Sequence, residues 1–167
     1  MNVFITSGTY EYLKQLQDKY TNETLILMQD EDTTLLLHET NGETIFNEPR
    51  QYEAIDSSGD LSKGSFAVLN NIPVTDEGRP VFEYRFKNRA GLIDSEPGFA
   101  AIRVLRPLST DTYVILTLWE SESDFLNWQQ SKAYERAHKK RGTDEGIDKQ
   151  SIFPRPSYVT KYQITIE

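Results

Sequence analysis

The chain has 167 residues, no cysteine, a formal net charge of −8 and a pI near 4.9. Without cysteine there are no disulfides, thiolate nucleophiles, iron–sulfur clusters or cysteine–zinc sites, and any metal must be held by histidine, carboxylate or tyrosine. The acidic balance argues against a nucleic-acid partner, because phosphates require a concentrated basic surface and the one basic run, His138-Lys139-Lys140-Arg141, is too short to provide it. With 37% hydrophobic and 26% charged residues the composition is that of a globular protein. No apolar run approaches the roughly 18 residues of a membrane span, and the opening MNVFITSGTY lacks the pattern of a signal peptide. The expectation is a cytoplasmic chain with no membrane partner, long enough for one core or for a domain of about 100 residues with an annex.

In chain order, Val3 to Thr6 reads as a short strand. Thr9 to Tyr20 reads as a helix with Tyr10, Leu13, Leu16 and Tyr20 on one face. Two apolar runs, from Thr24 and from Thr33, flank Asp30-Glu31-Asp32 and predict a hairpin whose second strand ends at His38. His38 beside Glu39 reads as a surface residue. The polar stretch from Glu48-Pro49 through Gly59-Asp60 to Gly64 is the best candidate boundary. It divides an annex over residues 1–60 from a main domain over 65–167. In the main domain Phe66, Val68, Asn70, Ile72 and Val74 alternate onto one strand face, on which Asn70 is the only polar member. Asn71 is expected to point the other way and to be exposed. Asp76 is the candidate cap of a helix with Pro80 in its first turn and Val81, Phe82, Phe86 and Ala90 as its apolar stripe. The turn Glu96-Pro97-Gly98 leads into strands Phe99–Leu105 and Tyr113–Trp119. Ser121 and Asp124 form a capping box for a helix through Phe125 and Trp128. Residues 139–150 read as a loop and Tyr158–Ile166 as a closing strand. The main domain is therefore α+β and ferredoxin-like, β-α-β-β-α-β, preceded by an incomplete β-α-β-β copy of the same plan.

Three residues stand out. An amide in the middle of an apolar strand face, Asn70, costs about 1–3 kcal/mol unless it finds partners. The segment LNWQQSKAYERAH holds one of two tryptophans, Trp128, and one of two histidines, His138. On one straight helix they would lie about 15 Å apart along the axis and about 80° apart around it, too far for one small substrate. Gln129-Gln130 offers nothing apolar to hold the helix straight and Ser131 can cap a second segment, so a break there would turn both residues toward one cleft. Taken singly, each has a plainer reading: Trp128 as a core or cleft-wall aromatic, and His138 as a solvated helix-end histidine. Trp119, at a strand end, is read as structural.

The run Trp119-Glu-Ser-Glu-Ser-Asp-Phe125-Leu-Asn-Trp128, followed by Ser131, Tyr134, Ala137 and His138, resembles the heme-degrading members of the antibiotic biosynthesis monooxygenase superfamily, most nearly the HmoB type. The resemblance covers roughly residues 65–166. It implies a ferredoxin-like, dimeric α/β-barrel-like fold and the oxidative opening of heme with release of iron. It makes heme both substrate and cofactor, alongside molecular oxygen and an external electron donor, either a separate reductase or a small reductant. It also implies roles: His138 as axial ligand of the heme iron, Asn70 as donor to the distal oxygen, and Trp128 as the wall that shapes the ring. Lys139, Lys140 and Arg141 are candidates for the propionates. Single-domain members pair two copies, so the incomplete copy here implies a monomer with an internal pseudo-dimer, a homodimer being the alternative. Competing readings are a heme carrier without turnover, a cofactor-free monooxygenase of the same superfamily acting on an aromatic substrate, and a regulatory module.

Overall fold

In the computed structural model, residues 1–87, 93–131 and 152–164 are described. They form eight strands and three helices in the order β1 (Asn2–Ser7), α1 (Tyr10–Lys19), β2 (Thr24–Gln29), β3 (Thr34–Thr40), β4 (Arg50–Gly59), β5 (Phe66–Pro73), α2 (Arg79–Lys87), β6 (Phe99–Pro107), β7 (Thr112–Trp119), α3 (Glu122–Gln129) and β8 (Tyr158–Ile164). All pairings are antiparallel and close into a barrel, β1-β3-β2-β8-β5-β7-β6-β4. The fold is the α+β, ferredoxin-like arrangement expected.

Each half of the chain contributes four adjacent strands in one order: β4-β1-β3-β2 from the first half and β8-β5-β7-β6 from the second. Numbered within its half, each sheet runs 4-1-3-2, so the halves are related by a pseudo-two-fold axis. The joints between them differ. β4 meets β6 over seven residue pairs, interrupted by a bulge between Ala54 and Asp56. β2 meets β8 over only two, Met28–Ile164 and Gln29–Gln163.

The stretch 48–64, read as a boundary, is for most of its length the strand β4. It gives the first half a fourth strand that its sequence pattern does not announce. The junction between halves is a single 3-10 turn, Leu61–Lys63, capped by Asp60.

Side chains alternate between two apolar environments. Inward, Ile5, Met28, Leu37, Leu69, Leu116 and Leu118 fill the barrel. Outward on the first half, Leu25, Leu27 and Leu36 lie under Leu13 and Leu16 of α1, whose start is capped by the Thr9 hydroxyl accepting from the Tyr12 amide. Both strand faces are thus buried, and this overturns two expectations about exposure. His38 is fully buried: Glu23 Oε1 lies 2.6 Å from its Nε2 and Thr44 Oγ1 3.2 Å from its Nδ1, while Phe4 and Phe46 contact its ring. Asn71 points into the barrel, 3% exposed, where its two amide hydrogens are shared among Leu69 O, Tyr158 O and Thr160 Oγ1 at 3.1–3.3 Å.

One inward ion pair also spans the halves. Arg103 of β6 donates to Glu39 of β3 at 2.7 Å and to the carbonyls of Ser58, Gly59 and Ile102. With its donors matched, the guanidinium avoids the large penalty of an unpaired buried charge.

Candidate functional site

The outward face of the second half-sheet can be read in rows, since directly paired residues of antiparallel strands share a face. One row runs Val159–Asn70–Ile115–Val104 across β8, β5, β7 and β6. The next runs Lys161–Val68–Thr117–Ile102. On one side of these rows α2 packs Phe82 and Phe86 against Ile72, Tyr113 and Ile115. On the other side α3 packs Phe125 and Trp128 against Phe66, Val68 and Trp119. The Asn70 row therefore lies between two helices on an apolar floor. Asn70 is half-buried, and among the described residues no group hydrogen-bonds its side-chain amide. The register that places Asn71 inside the barrel is the one that places Asn70 on this face.

Trp128 is held by its own helix and by Trp119. The Ser121 hydroxyl accepts from the Asp124 amide at 3.2 Å, which caps the helix as predicted, and donates to the Asp124 carboxylate at 2.9 Å in place of the reciprocal backbone bond of a full capping box. Gly98, with φ +79°, lets the preceding turn pass directly beneath Asp124, where a Cβ would collide with the carboxylate. Trp119 is fully buried, its Nε1–H donates to Thr117 Oγ1 at 3.0 Å, and its ring lies 5.4 Å from that of Trp128 at 34°. α3 ends at Gln129, where the Ser131 hydroxyl and amide both turn back to the Trp128 carbonyl. The helix thus ends where the break was expected, and the second segment that Ser131 was expected to cap lies outside the described residues.

His138 and the basic run Lys139-Lys140-Arg141 lie outside the described residues, so the site brings together Asn70 and Trp128 of the three predicted positions. Among the described residues no group of three or more His, Cys, Asp or Glu side chains is placed to hold a metal ion, and no helix is long and apolar enough to cross a membrane.

A polar network anchors α2 beside the site. Arg106 donates to Glu83 at 2.5 and 2.9 Å and to Glu53 at 2.8 Å. The Tyr113 hydroxyl donates to Glu83 and accepts from Arg79 Nε, and Arg79 also donates to the Pro107 carbonyl. The hydrogen bond from Arg106 holds the Glu83 carboxyl below its ordinary range, despite opposing desolvation. Burial, reinforced by the bond to Glu83, pushes the Tyr113 hydroxyl up to about 12. The helix begins at Arg79 with Pro80 in its first turn, but the cap differs from expectation. The residue that flanks its start is Gly78, whose carbonyl accepts from the Phe82 amide, and the Thr75 hydroxyl accepts from the Gly78 amide in the turn before the helix. Val81, expected on the apolar stripe, faces solvent.

Sequence reasoning missed Thr117, Val159 and Lys161. The signal for Thr117 was available, since it is the one aliphatic hydroxyl among the outward residues Tyr113, Ile115, Thr117 and Trp119.

Residues 65–140 match the family model described as antibiotic biosynthesis monooxygenase. A heme-degrading monooxygenase of Listeria monocytogenes serovar 1/2a is 32% identical over 160 residues, covering 93% of this chain and 95% of that protein. The signal transduction protein TRAP of Staphylococcus aureus strain USA300 is 27% identical over 132 residues, 79% of each chain. Among solved structures, LmHde, a heme-degrading enzyme from Listeria monocytogenes, superposes with a TM-score of 0.71 at 25% identity, covering 98% of this chain and 99% of that one.

Proposed function

The chain belongs to the antibiotic biosynthesis monooxygenase family, and on that premise we propose that it degrades heme oxidatively, releasing iron, with molecular oxygen and electrons from a separate reductase or small reductant. The observation that carries the reading is Asn70: a half-buried amide at the centre of an apolar floor between two helices, with no protein partner among the described residues. Such a group has a cost that a ligand offering a hydrogen-bond acceptor removes. The surroundings fit a flat, largely apolar ring, with Val68, Ile115 and Val104 beneath and Trp128 at one side. That the Listeria relative, similar along 93% of this chain, is a heme-degrading monooxygenase supports the same reading.

Bound heme would supply the iron at which oxygen is activated and would itself be the molecule oxidised. The chain's own residues would bind, orient and shield. Asn70 offers an amide N–H at the middle of the floor. Trp128, backed by Trp119, forms a rigid wall that excludes water from one side. His138 is proposed as the residue that holds the iron, on the strength of the family resemblance, with its second ring nitrogen free to donate to an oxygen acceptor. The barrel closed within one chain supports a monomer as the working unit, with residues 1–60 in the place of a partner copy; light scattering should give a mass near 19.3 kDa.

The test is a hemin titration followed by absorbance, then addition of a reductant in air. Saturable binding followed by loss of the Soret band is expected, and His138→Ala should abolish or greatly weaken ligation of ferric heme. Binding without loss of the band would mark a carrier, and no binding would remove the heme reading altogether. The similarity to TRAP favours a second reading, a regulatory module without chemistry, and the last outcome would favour it.

A further inference from the structure

On the same outward face, the residue beside Val68 on the closing strand is Lys161. It stands one row from Asn70, which pairs with Val159 two residues earlier on that strand. Both β8 residues are exposed, Val159 by 53%. The reason is topological, because β2 pairs with β8 only at Ile164 and Gln163, leaving the earlier part of β8 as the rim of the sheet beside the Asn70 floor. Of the other described cations of this half, Arg103, Arg106, Arg155 and Arg79 are engaged, while Arg85 of α2, like Lys161, has no ion pair among the described residues. Arg106 is paired with Glu53 and Glu83, Arg155 with Asp111, and Arg79 with Tyr113 and the Pro107 carbonyl. Lys161 has no carboxylate partner among the described residues, in a chain whose net charge of −8 leaves acidic groups in excess.

We propose that Lys161 forms a carboxylate subsite at the β8 rim, taking an anionic side chain of a ligand whose apolar ring lies over Asn70, Val68 and Ile115. The row geometry fits an amphipathic ligand: apolar at the floor, one hydrogen-bonding centre at Asn70, and a cation at the open edge. A lysine suits that edge, since its stem lies along apolar surface while its ammonium stays in water. With the heme reading above, on which this inference rests, the anion is a propionate. The subsite would orient the ring in its plane, fixing which edge of the macrocycle faces Trp128.

The experiment compares hemin with hemin dimethyl ester, whose propionates carry no charge, in the wild type, Lys161→Met and Lys161→Arg. An exposed pair of this kind is worth a factor of about five in Kd at most. Lys161→Met should bind hemin about five-fold more weakly than the wild type at low salt, with the gap closing as salt is raised. Lys161→Arg should restore most of the affinity, and all three proteins should bind the ester equally. Equal hemin affinity in wild type and Lys161→Met, or an equal loss for hemin and ester, would overturn the subsite while leaving heme binding intact. Absence of any Soret change with either compound in the wild type would sink the heme reading and the subsite with it.

Discussion

Asn70 and Asn71 are adjacent amides with opposite surroundings, so truncating each should separate function from stability. Asn71→Ala removes from the barrel interior a group whose hydrogens are shared among Leu69 O, Tyr158 O and Thr160 Oγ1. The Thr160 hydroxyl and the spare lone pairs of two carbonyls are then left in a space too apolar to compensate, at about 1–3 kcal/mol. At 2 kcal/mol, a chain of this size should lose about 4–8 °C in Tm. Asn70→Ala deletes a half-buried amide with no protein partner among the described residues, so its Tm should stay within a degree or two of the wild type or rise slightly. The turnover effects should run the other way, with Asn70→Ala binding hemin but consuming it slowly and Asn71→Ala keeping the wild-type rate below its melting temperature. Thermal melts by circular dichroism and the decay of the Soret band under reductant in air measure the two quantities on the same samples. If Asn70→Ala melts several degrees low while Asn71→Ala does not, the register of β5 is wrong by one residue. If both turn over at the wild-type rate, Asn70 has no part in the chemistry.

Three further outcomes follow from the packing. His38→Ala should destabilise by about 2–4 kcal/mol, because it empties a fully buried position and strips Glu23 and Thr44 of their partner; a melting point unchanged from wild type would refute that burial. Trp119→Phe and Thr117→Val each remove the hydrogen bond that fixes the Trp119 plane, so both should perturb the coupled near-ultraviolet dichroism of the Trp119–Trp128 pair and lower turnover more than hemin affinity. Unaltered dichroism in Thr117→Val would show that the bond does not set the ring plane. Glu83 is held below its ordinary value of 4.5, chiefly by the hydrogen bond from Arg106, so its contribution to stability is present above that pH and is lost as pH falls through the depressed folded value. Wild-type Tm should therefore fall between pH 7 and pH 3 more steeply than that of Glu83→Gln, and parallel slopes would refute the linkage.

Most of the elements were legible because helical or alternating patterns coincide with capping and turn chemistry. Thr9 and Ser121 cap α1 and α3, and Asp30 Oδ1 closes the β2–β3 turn by accepting from the amides of Asp32 and Thr33. Strand β4 was not legible. Its sequence, RQYEAIDSSG, shows one large inward side chain, Tyr52, before the bulge at Ala54/Asp56 reverses the alternation. No second helix covers the first half between β3 and β4, so the outward positions of β4 stay polar, and Glu53 meets Arg106 there.

The misplacement of His38 and Asn71 has one cause, which also explains why Asn70 was found. Alternation along a strand says which residues share a face, but exposure of the opposite face follows only if the sheet is one-sided. In this barrel the inward faces bury one another and α1, α2 and α3 cover much of the outward faces of β2, β3, β5 and β7, so a polar residue of either parity can be buried there. The runs TLILMQ and TLLLHE carry that information, since neither alternates and consecutive apolar residues imply burial on both sides. Extended to the second half, the argument distinguishes the two asparagines by their partners. Asn71 shares its amide hydrogens among three acceptors inside the barrel, as a structural amide in a closed core must. Asn70, half-buried on the outward face between two helices, has no protein partner among the described residues, which is the arrangement that the proposed role toward a ligand requires.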